Sequence, residues 1–225
     1  MEESESVPAE LVNQWIAAEE DFSANGYDGL AASAVEMIHG SGRPWLVLTA
    51  PHAVNHWREG ALKLADRGTG GLVRVLSRAL RCYGLIAGRQ TYSDPSYDDK
   101  HELKNQLMPL MDGARALIDF HGMSDQRDID AEVGLGLFPN STSERLALVI
   151  EAALKAAALS VAHHEVYVSP HPHSITNWGL AHGLPAVQLE LAARTRPPLG
   201  SPNACETLVH ALMEALSVDS ADAFR

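Results

Sequence analysis

Cysteine and long apolar runs are scarce in this sequence of 225 residues. The two cysteines, Cys82 and Cys205, lie far apart, so they form neither a paired metal-binding motif nor a disulfide framework. So few cysteines favour a reducing, cytoplasmic setting. No apolar run is long enough to span a membrane, and the first six residues, M-E-E-S-E-S, contain no apolar signal core. We therefore expect neither a membrane span nor a secretion signal.

Basic residues are also few, because 17 Lys and Arg stand against 29 Asp and Glu, for a formal net charge of -12. Such an acidic chain disfavours nucleic acid and anionic membrane as partners, although local arginines still allow an anionic substrate. Two catalytic patterns are missing as well. The glycine-rich residues 68–71 precede a predicted helix but lack the following Lys-Ser/Thr of a phosphate loop, and no serine lies in a nucleophile-elbow pattern.

What is present is a composition that forms a full core. The chain is 46% hydrophobic and 20% charged, which predicts a single domain over residues 1–225, with residues 1–44 as an outer N-terminal helical segment packed on it. Short apolar runs with β-branched members predict strands, and amphipathic or Ala- and Leu-rich runs predict helices. The predicted strands cover residues 46–49, 85–87, 115–120, 132–138, 165–168 and 186–191, and the predicted helices cover residues 8–22, 69–83, 100–108, 143–159 and 205–216.

The alternation of strands and helices predicts an α/β fold. We expect a three-layer sandwich with a mixed, largely parallel central sheet flanked by helices. Residues 169–183 are rich in Pro, His, Ser and Asn, so we interpret them as a long loop that covers the site. In open α/β sheets, the carboxyl ends of the strands are where ligands bind.

Two histidines follow predicted core strands, and they carry the functional hypothesis. His52 lies just after the strand 46–49, and His121 just after the strand 115–120. A hydrolytic Zn²⁺ site needs about three protein N or O ligands and one open position for water. The pair therefore predicts one zinc ion per chain. The competing interpretation is that one of the two is a hydrogen-bonded core histidine.

The third ligand is expected on the segment that follows His52. Glu59 lies seven residues after it, on the loop that leaves the same strand end, and would supply an oxygen ligand. Asn55 and His56 compete with Glu59 for this role. A solvated surface position is the alternative for Glu59.

Three further carboxylates are candidates for supporting or catalytic roles. Asp119 lies two residues before His121 and shares its side of the strand, so it either fixes the tautomer of that histidine or faces solvent. Asp66 is a second candidate for such a supporting role. Glu190 lies in the mostly apolar strand 186–191, where an ionised carboxylate needs a partner. We interpret Glu190 as the base that takes a proton from water and passes it to the leaving amine, the alternative being an edge strand that leaves it in solvent.

Substrate binding is assigned to residues near these points in sequence. Arg58, Arg194 and Arg196 are candidates for holding a carboxylate, because arginine pairs bidentately with that group. Each is otherwise an ordinary surface arginine. We expect Arg58 to stabilise the oxyanion and Arg194 to bind the substrate. In residues 169–183 we expect His173 and Asn177 to line the cleft.

Five short motifs, in their order along the chain, resemble the N-formylglutamate amidohydrolase family. They are T-A-P-H at 49–52, R-E-G at 58–60, D-R-G-T-G at 66–70, I-D-F-H-G at 118–122 and V-Q-L-E at 187–190. The resemblance spans residues 45–196. It implies a fold similar to that of the zinc carboxypeptidases, with one Zn²⁺ at the strand ends, and hydrolysis of an amide bond next to a carboxylate.

The resemblance also implies roles for individual residues. His52 and His121 match the metal histidines of the family, and Glu190 matches its catalytic glutamate. The related carboxypeptidases have a His-x-x-Glu pattern, and Asn55 stands where that Glu would be. Glu59 is therefore our assignment for the acidic ligand.

These observations predict a zinc-dependent amidohydrolase that acts on a small molecule or short peptide with a carboxylate. Two alternatives keep the metal and change the substrate: a zinc peptidase, and a hydrolase of γ-glutamyl or cell-wall amides. A third alternative is a non-catalytic binding protein on the same scaffold.

Overall fold

A seven-stranded sheet forms the centre of this computed structural model, which describes residues 7–217. The strands, including those of a separate hairpin, are β1 (Val35–Ile38), β2 (Arg43–Ala50), β3 (His56–Arg58), β4 (Ala61–Lys63), β5 (Cys82–Ala87), β6 (Ala116–Met123), β7 (Ala131–Gly134), β8 (Val161–His163) and β9 (Ala186–Ala192). The sheet order is β1-β5-β2-β6-β9-β7-β8, and β3 and β4 form the hairpin. β1 runs antiparallel to β5 and β7 antiparallel to β9, while the other neighbours in the sheet are parallel. The sheet is thus mixed and largely parallel, as predicted.

Helices cover both faces of the sheet. They are α1 (Val7–Tyr27), α2 (Thr69–Leu80), α3 (Glu102–Leu107), α4 (Ser141–Ala156), α5 (Ile175–Ala181) and α6 (Pro202–Leu216), with short 3₁₀ turns at Met108–Leu110 and Ala193–Thr195. Apolar side chains of α1, α2, α4 and α6 share one core with the sheet, and those of α3 and α5 share a second core on the opposite face. The predicted three-layer sandwich is confirmed. Within residues 7–217, no helix combines the length and the apolar character needed to cross a membrane.

Strand alternation sends polar side chains to one face of the sheet at its carboxyl edge. In β6, Ile118 and Phe120 belong to the core under α1, α2, α4 and α6, and Leu117 belongs to the core under α3 and α5. Asp119 and His121 continue the face of Leu117 toward the end of the strand. The neighbouring strands place polar residues in register with them: Thr49 pairs with Asp119, Gln188 with Asp119, and Glu190 with His121.

The strand predicted at 165–168 is wrong. The edge strand is instead β8, and residues 165–167 bind a side chain rather than a neighbouring strand. Glu132 Oε1 accepts hydrogen bonds from the backbone N–H groups of Glu165, Val166 and Tyr167, at 2.8, 2.6 and 2.9 Å. A buried carboxylate that satisfies three consecutive amides removes the need for strand pairing there.

Two other predicted boundaries shift for local reasons. The loop predicted at 169–183 contains α5, because the side chain of Ser174 caps a helix by accepting from Asn177 N. The helix predicted over residues 69–83 ends at Leu80, where Arg81 adopts a left-handed conformation with φ 56°. Gly84 lies in β5 instead, and a Cβ there would come within 2.5 Å of the Ser77 hydroxyl.

Candidate metal centre

Two histidine rings meet at the carboxyl edge of the sheet. His52 follows β2, and His121 lies in β6, the parallel neighbour of β2. Their Nδ1 atoms are 3.2 Å apart, and both side chains are buried. The structure therefore brings together the two histidines that the sequence singled out.

Asp66 completes a three-residue cluster with these histidines. Its Oδ2 atom lies 3.3 Å from His52 Nδ1 and 3.1 Å from His121 Nδ1. The loop before α2 holds Asp66 in place, because Asp66 N donates to His52 O and Thr69 Oγ1 donates to Asp66 O. The ammonium of Lys63 binds the other carboxylate oxygen at 2.8 Å. One ligand atom from each member of the cluster lies within 4.8 Å of the others.

Carboxylates on the outer side of each ring fix the tautomers. His52 Nε2 lies 2.8 Å from Asp94 Oδ1, and His121 Nε2 lies 3.2 Å from Asp119 Oδ2. An ionised carboxylate only accepts, so the hydrogen-bond network assigns the ring proton to Nε2 in both residues. The two Nδ1 atoms then present lone pairs to each other and to Asp66.

This donor set fits a tetrahedral zinc ion. Zn–N and Zn–O bonds of about 2.0–2.2 Å at tetrahedral angles separate neighbouring ligand atoms by about 3.3–3.5 Å. The three separations here are 3.1, 3.2 and 3.3 Å. Two ring nitrogens and a carboxylate oxygen converge here, and the single proton that His121 can hold at Nδ1 satisfies only one of the three pairs. His52, Asp66 and His121 are therefore the residues that would hold the ion.

The acidic and basic members of the cluster shift each other's pKa values. Burial opposes the charge of Asp66, yet Lys63 and the two histidines hold the pKa of Asp66 well below its usual range. Burial likewise opposes protonation of His121, but Asp119 and Asp66 raise the pKa of His121 well above its usual value. A metal ion must displace the proton that His121 holds, so its affinity depends on pH.

Glu190 lies beside the cluster on β9. It pairs in register with His121, and its Oε1 accepts a hydrogen bond of 2.8 Å from Gln188 Nε2. Burial raises the pKa of Glu190 to about 7. A carboxyl group with that pKa can both accept and release a proton near neutral pH.

An open cleft of about 500 Å³ leads to the cluster. Arg58 lines it and is held by Asp94, whose Oδ2 lies 2.9 Å from Nε and 2.7 Å from Nη2 of the guanidinium. Asp94 thus links Arg58 to His52. Burial opposes the charge of Asp94, yet the hydrogen bond from His52 and the charge of Arg58 hold the pKa of Asp94 far below its usual range. The other lining residues include His52, Lys63, Asp66, Tyr97, His121, Tyr167, His171 and Glu190.

The assignment of Glu59 as the acidic ligand does not fit the structure. Glu59 lies in the turn between β3 and β4, where it is exposed and has a left-handed φ of 51°. Its carboxylate accepts a hydrogen bond from the Tyr97 hydroxyl at 2.5 Å. Asp66, which sequence reasoning gave only a supporting role, stands in its place.

The two competitors of Glu59 are also engaged elsewhere. Asn55 donates to Gly26 O and accepts from Ala65 N, so both ends of its amide support loops. His56 uses Nε2 on Pro51 O at 2.9 Å, and burial lowers the pKa of His56 to about 3. Neither side chain belongs to the cluster.

Arg194, predicted to bind the substrate, lies outside the cleft lining. Its Nε donates to Asp130 at 2.8 Å, and Asp125 and Asp128 lie within 3.9 Å of its guanidinium. Three aspartates neutralise this charge at the surface. Arg58 is the arginine that reaches the cleft, and its Nη1 makes no hydrogen bond in the described part of the chain.

His173 and Asn177 shape the neighbouring loop rather than the cleft. His173 faces Asp99 at 3.4 Å and lines a different surface cavity. Asn177 is buried, and its amide donates to Ser169 O and His171 O while accepting from Leu137 N. All polar atoms of the Asn177 side chain therefore serve the backbone.

Asp94 is the main residue that sequence reasoning missed. It lies in the polar segment that follows β5, the strand beside β2. The signal was available, because a carboxylate that follows a core strand is placed by the same rule as His52 and His121.

Comparison with known proteins gives a fold but no sequence family. No protein-family model matches this chain, and no curated protein is detectably similar in sequence. An N-formylglutamate amidohydrolase from Ralstonia eutropha JMP134 is 14% identical with a TM-score of 0.57, over 80% of this chain and 96% of that one. A bacteriophage poly-gamma-glutamate hydrolase is 17% identical with a TM-score of 0.56, over 86% of this chain and 91% of that one.

A third solved structure extends the likeness to the carboxypeptidases. A metallo-carboxypeptidase from Burkholderia cenocepacia is 12% identical with a TM-score of 0.51, over 85% of this chain and 61% of that one. At such identities the likeness shows a shared fold. The predicted similarity to the zinc carboxypeptidase fold is confirmed.

Proposed function

We propose that this protein is a metal-dependent hydrolase of an amide bond in a small, carboxylate-bearing substrate, similar to N-formylglutamate amidohydrolase. One zinc ion per chain is held by His52, Asp66 and His121. The observation that carries the proposal is the convergence of three metal-type ligand atoms at 3.1–3.3 Å beside the buried Glu190. We also propose a cytoplasmic protein with one domain and no nucleic-acid or membrane partner.

The chemistry requires an electrophile, a proton carrier and a counter-charge for the oxyanion. A zinc ion, when bound, polarises the amide carbonyl and lowers the pKa of its water to about 7. Glu190 receives a proton from the attacking water at its carboxylate and passes that proton to the leaving nitrogen. Gln188 orients Glu190 by donating to Oε1, so the other oxygen is the one that carries the proton.

Arg58 supplies the counter-charge in the cleft. Asp94 holds Nε and Nη2, so the guanidinium is fixed before substrate arrives. Nη1 then donates to the developing oxyanion or to the substrate carboxylate. A fixed donor stabilises the transition state without reorganisation, which is where most electrostatic catalysis arises.

A hydrolase of γ-glutamyl amides is the second candidate. It is supported by the poly-gamma-glutamate hydrolase, whose likeness in fold nearly equals that of the N-formylglutamate amidohydrolase, with TM-scores of 0.56 and 0.57. Both substrates place an amide near a carboxylate, so the same residues serve either reaction. A zinc peptidase and a non-catalytic binding protein are the remaining alternatives.

The test uses zinc-loaded protein and the variant Glu190→Gln. We expect wild type to hydrolyse N-formylglutamate or a short γ-glutamyl peptide. Glu190→Gln should lose at least about 100-fold in kcat, since general acid–base catalysis contributes about 10²–10⁴-fold. Its zinc content should stay stoichiometric. The matched control is Glu151→Gln, which removes another buried carboxylate that binds His163 and Lys155. Metal without hydrolysis of any amide would support the binding protein, and wild-type turnover in Glu190→Gln would rule out this base.

A further inference from the structure

A second cavity adjoins the metal cleft. It has a volume of about 290 Å³, and Asp66 and residues 122–124 line both spaces. Its other walls include Tyr27, Leu64, Arg67, Arg196 and Leu199. We name it the Arg67 cavity.

Arg67 brings an unneutralised charge to this cavity. Its side chain is exposed, and its guanidinium lies 5.5 Å from the centre of the Tyr27 ring. Among residues 7–217, no carboxylate lies within ion-pair distance of it. Arg58 and Arg194 differ in this respect, because each is paired with aspartate.

Arg196 brings a second charge, deep in the wall. It is 4% exposed, and its guanidinium contacts only backbone carbonyls. These carbonyls belong to Arg67, Met123, Leu191 and Ala192. Asp66, Glu190 and Glu19 act on Arg196 only through space, while burial lowers its pKa. A buried cation normally has a direct anionic partner, and none of the described residues supplies one.

Tyr27 offers a buried donor in the same wall. The residue is 8% exposed, and among residues 7–217 its hydroxyl makes no hydrogen bond of normal geometry, although Glu19 lies close enough for a weak one. Burial and the nearby Glu19 raise the pKa of Tyr27, so the phenol stays protonated. A buried hydroxyl without an acceptor costs stability unless a ligand satisfies it.

The rim of the cavity is apolar. Leu64 is 63% exposed and Leu199 is 56% exposed. An acidic group on a short carbon chain matches this combination of a cationic wall and an apolar rim. Arginine binds carboxylate and phosphate with the same bidentate geometry, so both are candidate head groups.

We propose that the Arg67 cavity is a subsite for a small oxyanion, with a carboxylate as the favoured ligand. Arg67 pairs with the anion, Arg196 supplies a second positive charge from beneath, and the Tyr27 hydroxyl donates a hydrogen bond. The carboxylate has two possible sources. It is either a second acidic group of the substrate that lies across the metal centre, which rests on the proposed function, or a free acid that binds independently.

Binding is measured first, without any assay of hydrolysis. Isothermal titration calorimetry is carried out on metal-free and on zinc-loaded protein, with glutarate and with inorganic phosphate as ligands. We expect saturable binding by wild type. The affinity should fall at least 10-fold in Arg67→Ala and measurably in Tyr27→Phe. Arg78→Ala is the matched control, because Arg78 is an exposed arginine in the last turn of α2 and loses the same charge. Equal binding by wild type and Arg67→Ala, or no binding by wild type, overturns the proposal.

Kinetics then separate the two sources of the carboxylate. A second acidic group of the substrate predicts that Arg67→Ala raises KM at least 10-fold for an amide with acidic groups on both sides and less than 2-fold for one with a single acidic group. A free acid predicts equal KM changes for both amides and a response of wild type to glutarate that Arg67→Ala lacks. If the protein hydrolyses neither amide, the titrations still decide whether the subsite exists.

Discussion

His52 Nδ1 lies 3.2 Å from His121 Nδ1, although 69 residues separate the two in the chain. Neighbouring parallel strands create this contact, because Thr49 of β2 is in register with Asp119 of β6. Two ring lone pairs at that distance repel each other unless a cation lies between them.

Substitutions at Asp66 and at Glu59 should affect zinc affinity differently, and this shows which residue is the acidic ligand. Asp66→Asn replaces a charged oxygen that lies 3.1 Å from His121, so zinc affinity should fall by more than the roughly 10–100-fold that loss of an outer hydrogen-bond partner costs. Glu59→Gln should bind zinc as wild type does, because Glu59 is exposed and bonded to Tyr97. Competition with a chromophoric chelator measures both affinities. The reverse order of effects would restore Glu59 as the ligand.

The carboxylates behind the histidines should also affect the metal. Asp94→Asn and Asp119→Asn each remove the acceptor that fixes a ring proton on Nε2, so we expect zinc affinity to fall about 10–100-fold in each variant. Asp130→Asn is the control, since Asp130 binds Arg194 outside the cleft. Equal zinc affinity in all three variants would show that the tautomers are not set by these residues.

The two candidate arginines are separated by paired lysine substitutions. Arg58→Lys loses the two-nitrogen contact with Asp94 and the free Nη1, so kcat/KM for a carboxylate-bearing amide should fall at least about 10-fold. Arg194→Lys should leave kcat/KM within about 2-fold, because solvent-exposed ion pairs are worth little. Steady-state kinetics on zinc-loaded protein compares them. A larger loss in Arg194→Lys would return substrate binding to that residue.

Glu19 links folding stability to pH at a distance from the metal ligands. Its carboxylate accepts from Gly68 N at 2.7 Å and Gly71 N at 2.9 Å, yet burial raises the pKa of Glu19 from 4.5 to about 7. The folded state therefore binds this proton more tightly than the unfolded state does. The contribution of Glu19 to the free energy of unfolding is fully present below pH 4.5. It is lost as the pH rises to about 7, which lowers the free energy of unfolding by about 3 kcal/mol.

Urea unfolding of metal-free protein between pH 4.5 and 8 measures this decline. Glu19→Gln cannot ionise, so its stability should fall less steeply over the same range than that of wild type. The variant still loses some stability at every pH, because its amide nitrogen faces a backbone N–H. Parallel curves for wild type and Glu19→Gln would contradict the raised pKa.

Sequence patterns located most elements of the fold because each pattern is local. The apolar run at 46–49 lies within β2, and the run at 186–191 lies within β9. The helix predicted at 8–22 lies within α1, which packs on α2 and α6. The strand predicted at 165–168 failed because Glu132 takes its amides, and no local pattern reports a contact across more than thirty residues.

Local patterns also located some residues of the candidate site and missed others. Sequence reasoning singled out His52, His121 and Glu190 because each stands at or just past a strand end, and the structure brings the three side chains together at one edge of the sheet. Glu59 was chosen over Asp66 because it is closer in sequence to His52. The β3–β4 hairpin breaks that rule, since it carries Glu59 away while the loop before α2 brings Asp66 back.

The sequence by itself determined the central strands of the sheet and the residues at their carboxyl ends, because apolar periodicity and strand alternation act over a few residues. It did not determine the edge strands β1 and β8. Only the tertiary structure decided which carboxylate joins the two histidines. It also decided which arginine reaches the cleft and which one forms ion pairs with aspartates outside it. Those outcomes depend on how loops of different length return to the sheet. The path of each loop depends on packing and hydrogen bonds between segments that are distant in sequence. Local sequence patterns therefore do not predict it.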